Sequence, residues 1–207
     1  FVVFDDTQGL YVPFDDGNAD NGDSGSGLDI GVLTVSGADG VEITGDLSVT
    51  VDDDVSFNIG NKQLASLTVD AQDNVDVYVF GNAESEIQID SITMTSDGNE
   101  FLNLTILENT GTDIAIGSIE MLATAGEDSA APNLIVSGNT DTVLEVDSVN
   151  MQAGISHGDY HDTGVAIEDN LRTTVTMGAL TLSSVDADVN VSASGNTDST
   201  VTFDTLD

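Results

Sequence analysis

The sequence predicts an all-β protein, a parallel β-solenoid of about seven coils with three short sides per coil. Three observations lead there. Val, Ile and Leu alternate with polar residues over short stretches, with little helical periodicity and only two prolines in 207 residues. One line of sequence recurs: "VFGNAESEIQIDSITM" ending at Met94, "VSGNTDTVLEVDSVNM" ending at Met151 and "SASGNTDSTVTFDTL" ending at Leu206, with Asn82, Asn139 and Asn196 each 57 residues apart. Weaker versions of the line sit halfway between the copies.

A Gly/acid-Asn pair supplies the first fixed point of each unit. It occurs as Gly60-Asn61, Gly81-Asn82, Glu108-Asn109, Gly138-Asn139, Asp169-Asn170 and Gly195-Asn196, with asparagines 21, 27, 30, 31 and 26 residues apart. Before most of these pairs lies a short alternating strand, such as Leu102, Leu104 and Ile106; after each lies a second apolar pair, such as Ile114 and Ile116.

Then the phase slips. Ile89 is followed by Asp90-Ser91 before Ile92 and Met94 resume the alternation, and the slip recurs at Gly117-Ser118, Asp147-Ser148, Gly178-Ala179 and Asp204-Thr205. Strict alternation would send the later residues to the opposite face. A slip at the same place in every unit is therefore a corner. Each unit has three sides, two fixed corners and a third corner of variable length, such as "LATAGEDSAAP".

Units of 21 to 31 residues that each add one edge to several sheets describe stacked coils. The six asparagines are expected to form an axial ladder. A β-sandwich also accommodates the alternation but does not require the two-corner grammar.

The 57-residue period is two coils. The residue before the corner asparagine and the residue opening the second corner run Gly81 with Asp90, Glu108 with Gly117, Gly138 with Asp147, Asp169 with Gly178, and Gly195 with Asp204. Acid and glycine exchange places on every coil. The exchange keeps like charges about 10 Å apart along a corner rather than about 5 Å, where they would repel by about 3 kcal/mol at an effective dielectric near 20. Duplication of a two-coil ancestor explains the same pattern.

The solenoid spans 28–207, and residues 1–27 form an acidic N-terminal extension without coil grammar. Near the start of the solenoid, Gly31-Val32-Leu33 and Gly45-Asp46-Leu47 echo the second corner at a spacing of 14, as a small first coil or a leading hairpin.

Composition bounds the partners. Two basic against 38 acidic residues give a formal charge of -36, which disfavours nucleic acid and anionic lipid and favours divalent cations or high salt. No cysteine is present, so thiolate chemistry and disulfides are excluded. No apolar run approaches the roughly 18 residues of a membrane span. The chain begins at Phe1 without Met, as expected after removal of a secretion signal.

Candidate sites are few. In "DDGNADNGDSGSG", Asp16, Asn18, Asp20 and Asp23 alternate oxygen side chains with glycines and can wrap a hard cation such as calcium. The loop resembles those of EF-hand, dockerin and thrombospondin-type repeats, but Gly22 falls one place late and Gly27 stands where the closing Glu belongs. A solvated acidic linker is the plain alternative. His157 and His161, the only histidines, lie in a Gly/Asp-rich loop, where helical ligand spacing does not apply. Asp52-Asp53-Asp54 reads as a solvated corner and Lys62 as an isolated lysine. Asn103 and Asn190 match the glycosylation pattern within strands. Carbohydrate-cleaving β-helices need aromatic platforms or a basic residue at the scissile bond. This chain has no Trp, one Lys and one Arg, so no enzyme is expected. Threonines form no regular column of the kind that ice binding requires.

The "GNTD" corners and the "IDSI", "IGSI" and "VDSV" steps resemble bacterial secreted β-solenoid proteins, namely large adhesins and extracellular filament subunits, over about residues 28–206. The resemblance implies an extracellular or cell-surface structural role and names no catalytic residue. It fits a filament or biofilm-matrix subunit assembling head to tail, or alternatively a cation-dependent adhesin or surface-layer module. Core positions Val201, Phe203 and Leu206 lie beside Asp207, while the apolar pieces 1–4 and 10–14 belong to no coil. Those pieces suit donation as strands to a neighbouring copy.

Overall fold

The computed structural model describes residues 3–5, 9–11, 33–36, 46–51, 55–58, 63–71, 75–96, 102–124, 131–154, 163–185 and 188–207, the strands before residue 66 by backbone alone. Its sixteen strands are β1 (Val3–Asp5), β2 (Gly9–Tyr11), β3 (Leu33–Ser36), β4 (Asp46–Val51), β5 (Val55–Asn58), β6 (Gln63–Ala71), β7 (Val75–Phe80) and β8 (Glu86–Ser96), then β9 (Leu102–Leu107), β10 (Asp113–Ala123), β11 (Pro132–Ser137), β12 (Val143–Ala153), β13 (Thr163–Glu168), β14 (Thr174–Ser184), β15 (Val189–Ser194) and β16 (Thr200–Leu206). Odd strands from β3 to β15 form one seven-stranded sheet and even strands from β4 to β16 another. Every pairing within these two sheets is parallel. Each coil therefore contributes one strand to each sheet, and successive coils rise by about 4.8 Å. The chain is an all-β parallel solenoid.

The coil count is lower than the seven expected. About four turns are complete, spanning 75–96, 102–124, 131–154 and 163–185, with both strands, an asparagine corner and a closed interior. The outer rungs extend the sheets without completing such turns. Asn58 and Gln63 stand in register with Tyr78 and Gln88, so the linking chain covers five positions where the next coil covers ten. It is too short to repeat the corner, and Asn61 itself lies outside the described residues. At the other end β15 is exposed along its whole length.

The three sides of a coil appear as two sheets because the second corner does not break the strand. In β10, Ile116 pairs with Ile89 and Val146, and Ser118 with Ser91 and Ser148, while Gly117 has no partner in the register. Ile116 and Ile119 are both buried although three residues apart. One unpaired residue per coil thus bends an eleven-residue strand and returns the alternation to the interior.

The interior is a set of columns. Ile89, Ile116, Val146 and Met177 lie one above another, each at most 2% exposed, and Met94, Met121 and Met151 form a second column. Burial of each such side chain stabilises by about 1.5–3 kcal/mol. Thr163 breaks the pattern. It pairs with Val189 and holds a buried position at the start of β13, and its hydroxyl has no partner among the described residues.

At the N-terminal end, β3 and β4 each join a sheet, so the segment after residue 28 is a first coil and not a leading hairpin. The pieces expected to be donated contain β1 and β2, which pair with each other antiparallel, Val3 with Tyr11. That local hairpin already satisfies the strand edges that donation would have used.

Two substitutions test this packing with opposite signs. Ile116→Asp should destabilise the fold by more than about 3 kcal/mol by burying an unpaired charge. Thr163→Val should stabilise it by about 1 kcal/mol by removing an unpaired hydroxyl. Denaturant unfolding of both variants measures the two effects.

The asparagine corner as candidate functional site

The chain passes from the short strand to the long one through two left-handed residues. They flank the asparagine at the preceding and second following positions: Gly81 and Glu84, Glu108 and Gly111, Gly138 and Asp141, Asp169 and Arg172, Gly195 and Asp198, all with φ between 47° and 67°. A side chain in this region costs about 1–2 kcal/mol relative to the right-handed one. Every described non-glycine residue that bears the cost is charged: Glu84, Glu108, Asp141, Asp169, Arg172 and Asp198.

Between the left-handed pair the asparagine turns inward. Asn139 is fully buried. Its Nδ2 donates to Oδ1 of Asn170 at 3.0 Å and to the Ile106 carbonyl at 2.9 Å. Its Oδ1 accepts from the backbone N–H and Nδ2 of Asn109 at 3.0 and 2.9 Å. The same links join Asn82 to Asn109 at 2.8 Å and Asn170 to Asn196 at 2.9 Å. All donors face the same way along the axis, so the amide dipoles add and each bond polarises the next. The expected ladder is present for the five asparagines described.

A second axial column stands beside it, one that the sequence pattern did not single out. Thr112, Thr142, Thr173 and Ser199 share hydroxyl hydrogens between the carbonyl of an asparagine one coil earlier and a carbonyl two residues back; for Thr142 the distances are 3.1 Å to Asn109 and 3.2 Å to Thr140. The signal was a Thr or Ser three residues after each of these asparagines, hidden among the many threonines.

The charged residues form a third pattern on the surface. The alternation read before the asparagine and at the second corner also occupies the second left-handed position, as Glu84, Gly111, Asp141, Arg172 and Asp198. An acid on one coil meets glycine or arginine on the next. The Glu84 Cγ stands 3.8 Å from where Gly111 would carry a Cβ, the Glu108 Cγ 3.7 Å from that point at Gly138, and the Asp169 carboxylate overlaps it at Gly195. Arg172 grips Asp141 through Nε at 2.5 Å and Nη2 at 2.6 Å, with both side chains about half exposed (50% and 48%). The guanidinium holds the Asp141 carboxyl below its ordinary range, by hydrogen bonding first and by charge second. The associated stability is present above the ordinary carboxylate range and fades as pH falls through the lowered value.

At the second corner the alternation has a steric cause as well as an electrostatic one. A Cβ on Gly117 would lie 2.5 Å from the Asp90 carbonyl oxygen, and one on Gly178 would collide with the Asp147 carbonyl oxygen. Only glycine allows the following coil to approach. The missing side chain at Gly117 leaves an open groove of about 220 Å³ bordered by Asp90, Asp147, Gln88 and Glu145.

The calcium candidates Asp16, Asn18, Asp20 and Asp23 lie outside the described residues, as do His157, His161, Lys62 and Asp52–54. Among the described residues no group of three or more His, Asp or Glu is placed to hold a metal ion. Asn103 of the first glycosylation pattern donates to Asp76 Oδ1 at 2.9 Å, whereas Asn190 of the second is exposed on β15. No described helix is long and apolar enough to cross a membrane. Comparison with protein-family models, with curated proteins and with solved structures finds no match for the chain.

Asn139→Ala should cost more than about 3 kcal/mol, since it strands the Asn109 amide, the Asn170 Oδ1 and the Ile106 carbonyl in a dry interior. Asn82→Ala, at the edge of the described ladder, should cost less. Chemical denaturation of both variants gives the comparison; equal losses would mean that the ladder bonds are not cooperative.

Proposed function

We propose that this chain is a structural subunit of an extracellular filament or biofilm matrix, extended by adding coils end to end along the solenoid axis. One observation carries the reading. Every repeated interaction of the fold points along that axis: two parallel sheets, the asparagine ladder and the hydroxyl column all repeat from coil to coil. Among the described residues, Asn196 donates one amide hydrogen to the Ile167 carbonyl and leaves the other without an acceptor. Strands β15 and β16 present open edges beside it. A face of this kind takes a further coil, from the same chain or from another copy.

The charge of -36 supports a second reading, a cation-dependent adhesin or surface-layer module in which calcium binds at Asp16, Asn18, Asp20 and Asp23. Negative-stain microscopy of the purified chain, with and without calcium, separates the two. Fibres one solenoid wide are the result expected for the structural subunit. Calcium-dependent binding to cells or glycans without fibres favours the adhesin, and the absence of both outcomes rejects each reading.

The same preparation allows an electrostatic test. The melting temperature should rise with added salt as screening relieves self-repulsion. A calcium effect that saturates between micromolar and millimolar would place the ion on the Asp16 loop. A midpoint unchanged from low to high salt would show that acidic repulsion does not strain the fold.

A further inference from the structure

The three alternating positions classify the coils into two types. One type carries Gly, acid and Asp at the first left-handed position, the second left-handed position and the second corner, as Gly81, Glu84 and Asp90, or Gly138, Asp141 and Asp147. The other carries acid, then Gly or Arg, then Gly, as Glu108, Gly111 and Gly117, or Asp169, Arg172 and Gly178. Within the complete turns each type stacks only on the other. The last coil, with Gly195, Asp198 and Asp204, belongs to the first type.

We propose that the outer face of this last coil accepts one kind of partner, a coil of the second type, and rejects a coil of its own type. The proposal rests on the reading that the axis is extended end to end, and it adds what the added coil must carry. Two independent contacts support it. In both earlier coils of the first type, the carbonyl at the second corner occupies the space of a Cβ on the following coil, so only Gly117 and Gly178 fit there. Asp204 stands in that position on the last coil, in register after Gly178 as Asp147 is after Gly117. At the second left-handed position, Glu84 lies over Gly111 and Asp141 is held by Arg172, so Asp198 also requires glycine or arginine above it. A coil with acids at both places would meet a carbonyl with a Cβ and a carboxylate with a carboxylate. It would have to lift away, and the ladder bond from Asn196, which needs about 2.9 Å, would not form.

The rule predicts which extension of the full chain will seal the open edge. One extended chain carries a second copy of residues 151–184 after Asp207, which completes the long strand and adds a coil of the second type. Another carries a second copy of residues 121–153, which adds a coil of the first type. Amide hydrogen exchange across β15 and β16 is the readout, with β9 to β12 as the internal reference. The first extension should slow exchange in β15 and β16 by at least about tenfold relative to the 207-residue chain. The second should leave it unchanged, and Gly178→Ala made only in the appended copy of the first should abolish the protection. Equal protection by both extensions, or protection by neither, would overturn the rule. The outcome is separate from the filament question. Selective protection in a chain that forms no fibres rejects polymer growth and keeps the rule, while fibres combined with equal protection reject the rule and keep polymer growth.

Discussion

The axial hydrogen bond between corner asparagines fixes where each coil sits on the one before it. A slip of one residue would remove the amide from its two neighbours and turn every side chain of the strand to the opposite face. The bonds contribute to stability, but register is their larger role. A hydrogen bond inside a protein has a net worth of about 1 kcal/mol, while each coil buries several large apolar side chains at about 1.5–3 kcal/mol apiece. Apolar columns such as Ile89, Ile116, Val146 and Met177 hold the coils together without specifying one stacking over another. The amide of Asn139, fully buried and bonded above and below, does specify it, because a misplaced amide would be left dry and unpaired.

The corner that presents the asparagine needs two left-handed residues, and this requirement explains where the charges stand. Glycine would meet the backbone geometry at less strain, yet six of the ten described places carry charged side chains. They point into solvent on alternate coils, each over a glycine or Arg172. Like charges on adjacent coils about 5 Å apart would repel by about 3 kcal/mol, and alternation halves that by doubling the separation. The glycine that relieves repulsion also supplies the space into which the neighbouring acid or carbonyl leans. Charge and shape therefore impose the same two-coil period, and a 57-residue repeat is the shortest unit that satisfies both.

Most of this architecture was legible because the solenoid writes each contact once per coil. The phase slip at Asp90-Ser91 and its counterparts identified the second corner, and the spaced asparagines identified the ladder. The sequence pattern overcounted the complete coils because Gly60-Asn61 looks like a corner, whereas the register of Asn58 and Gln63 shows that the link is too short. It divided the long strand into separate sides because alternation cannot distinguish a break from a single unpaired residue such as Gly117. The role of Thr112 and Thr142 was hidden for a different reason. Threonine is common on these strands, and only the backbone turn places one hydroxyl within reach of two carbonyls. The alternation at Glu84, Gly111, Asp141 and Arg172 escaped notice because the arginine interrupts the simple acid and glycine pattern, although it answers the same need.

The distribution of charge and of open backbone favours growth along one line. Carboxylates at the two fixed corners cover the flanks, so two solenoids approaching side by side bring like charges together over many coils. Physiological salt screens beyond about 8 Å, which weakens this repulsion at a distance but leaves it at contact. Along the axis the balance is reversed. The end of the stack presents strand edges, an unfilled amide donor on Asn196 and partly buried Val201 and Phe203, all of which gain partners from one further coil. A unit of the wrong type meets Asp198 and Asp204 before it can reach those groups. The acids thus act twice: on the flanks they keep neighbouring stacks apart, and on the end face they restrict what can extend the stack. A sequence with the same apolar columns and neutral corners would retain the interior and lose both restraints, leaving sheet edges free to associate in any register.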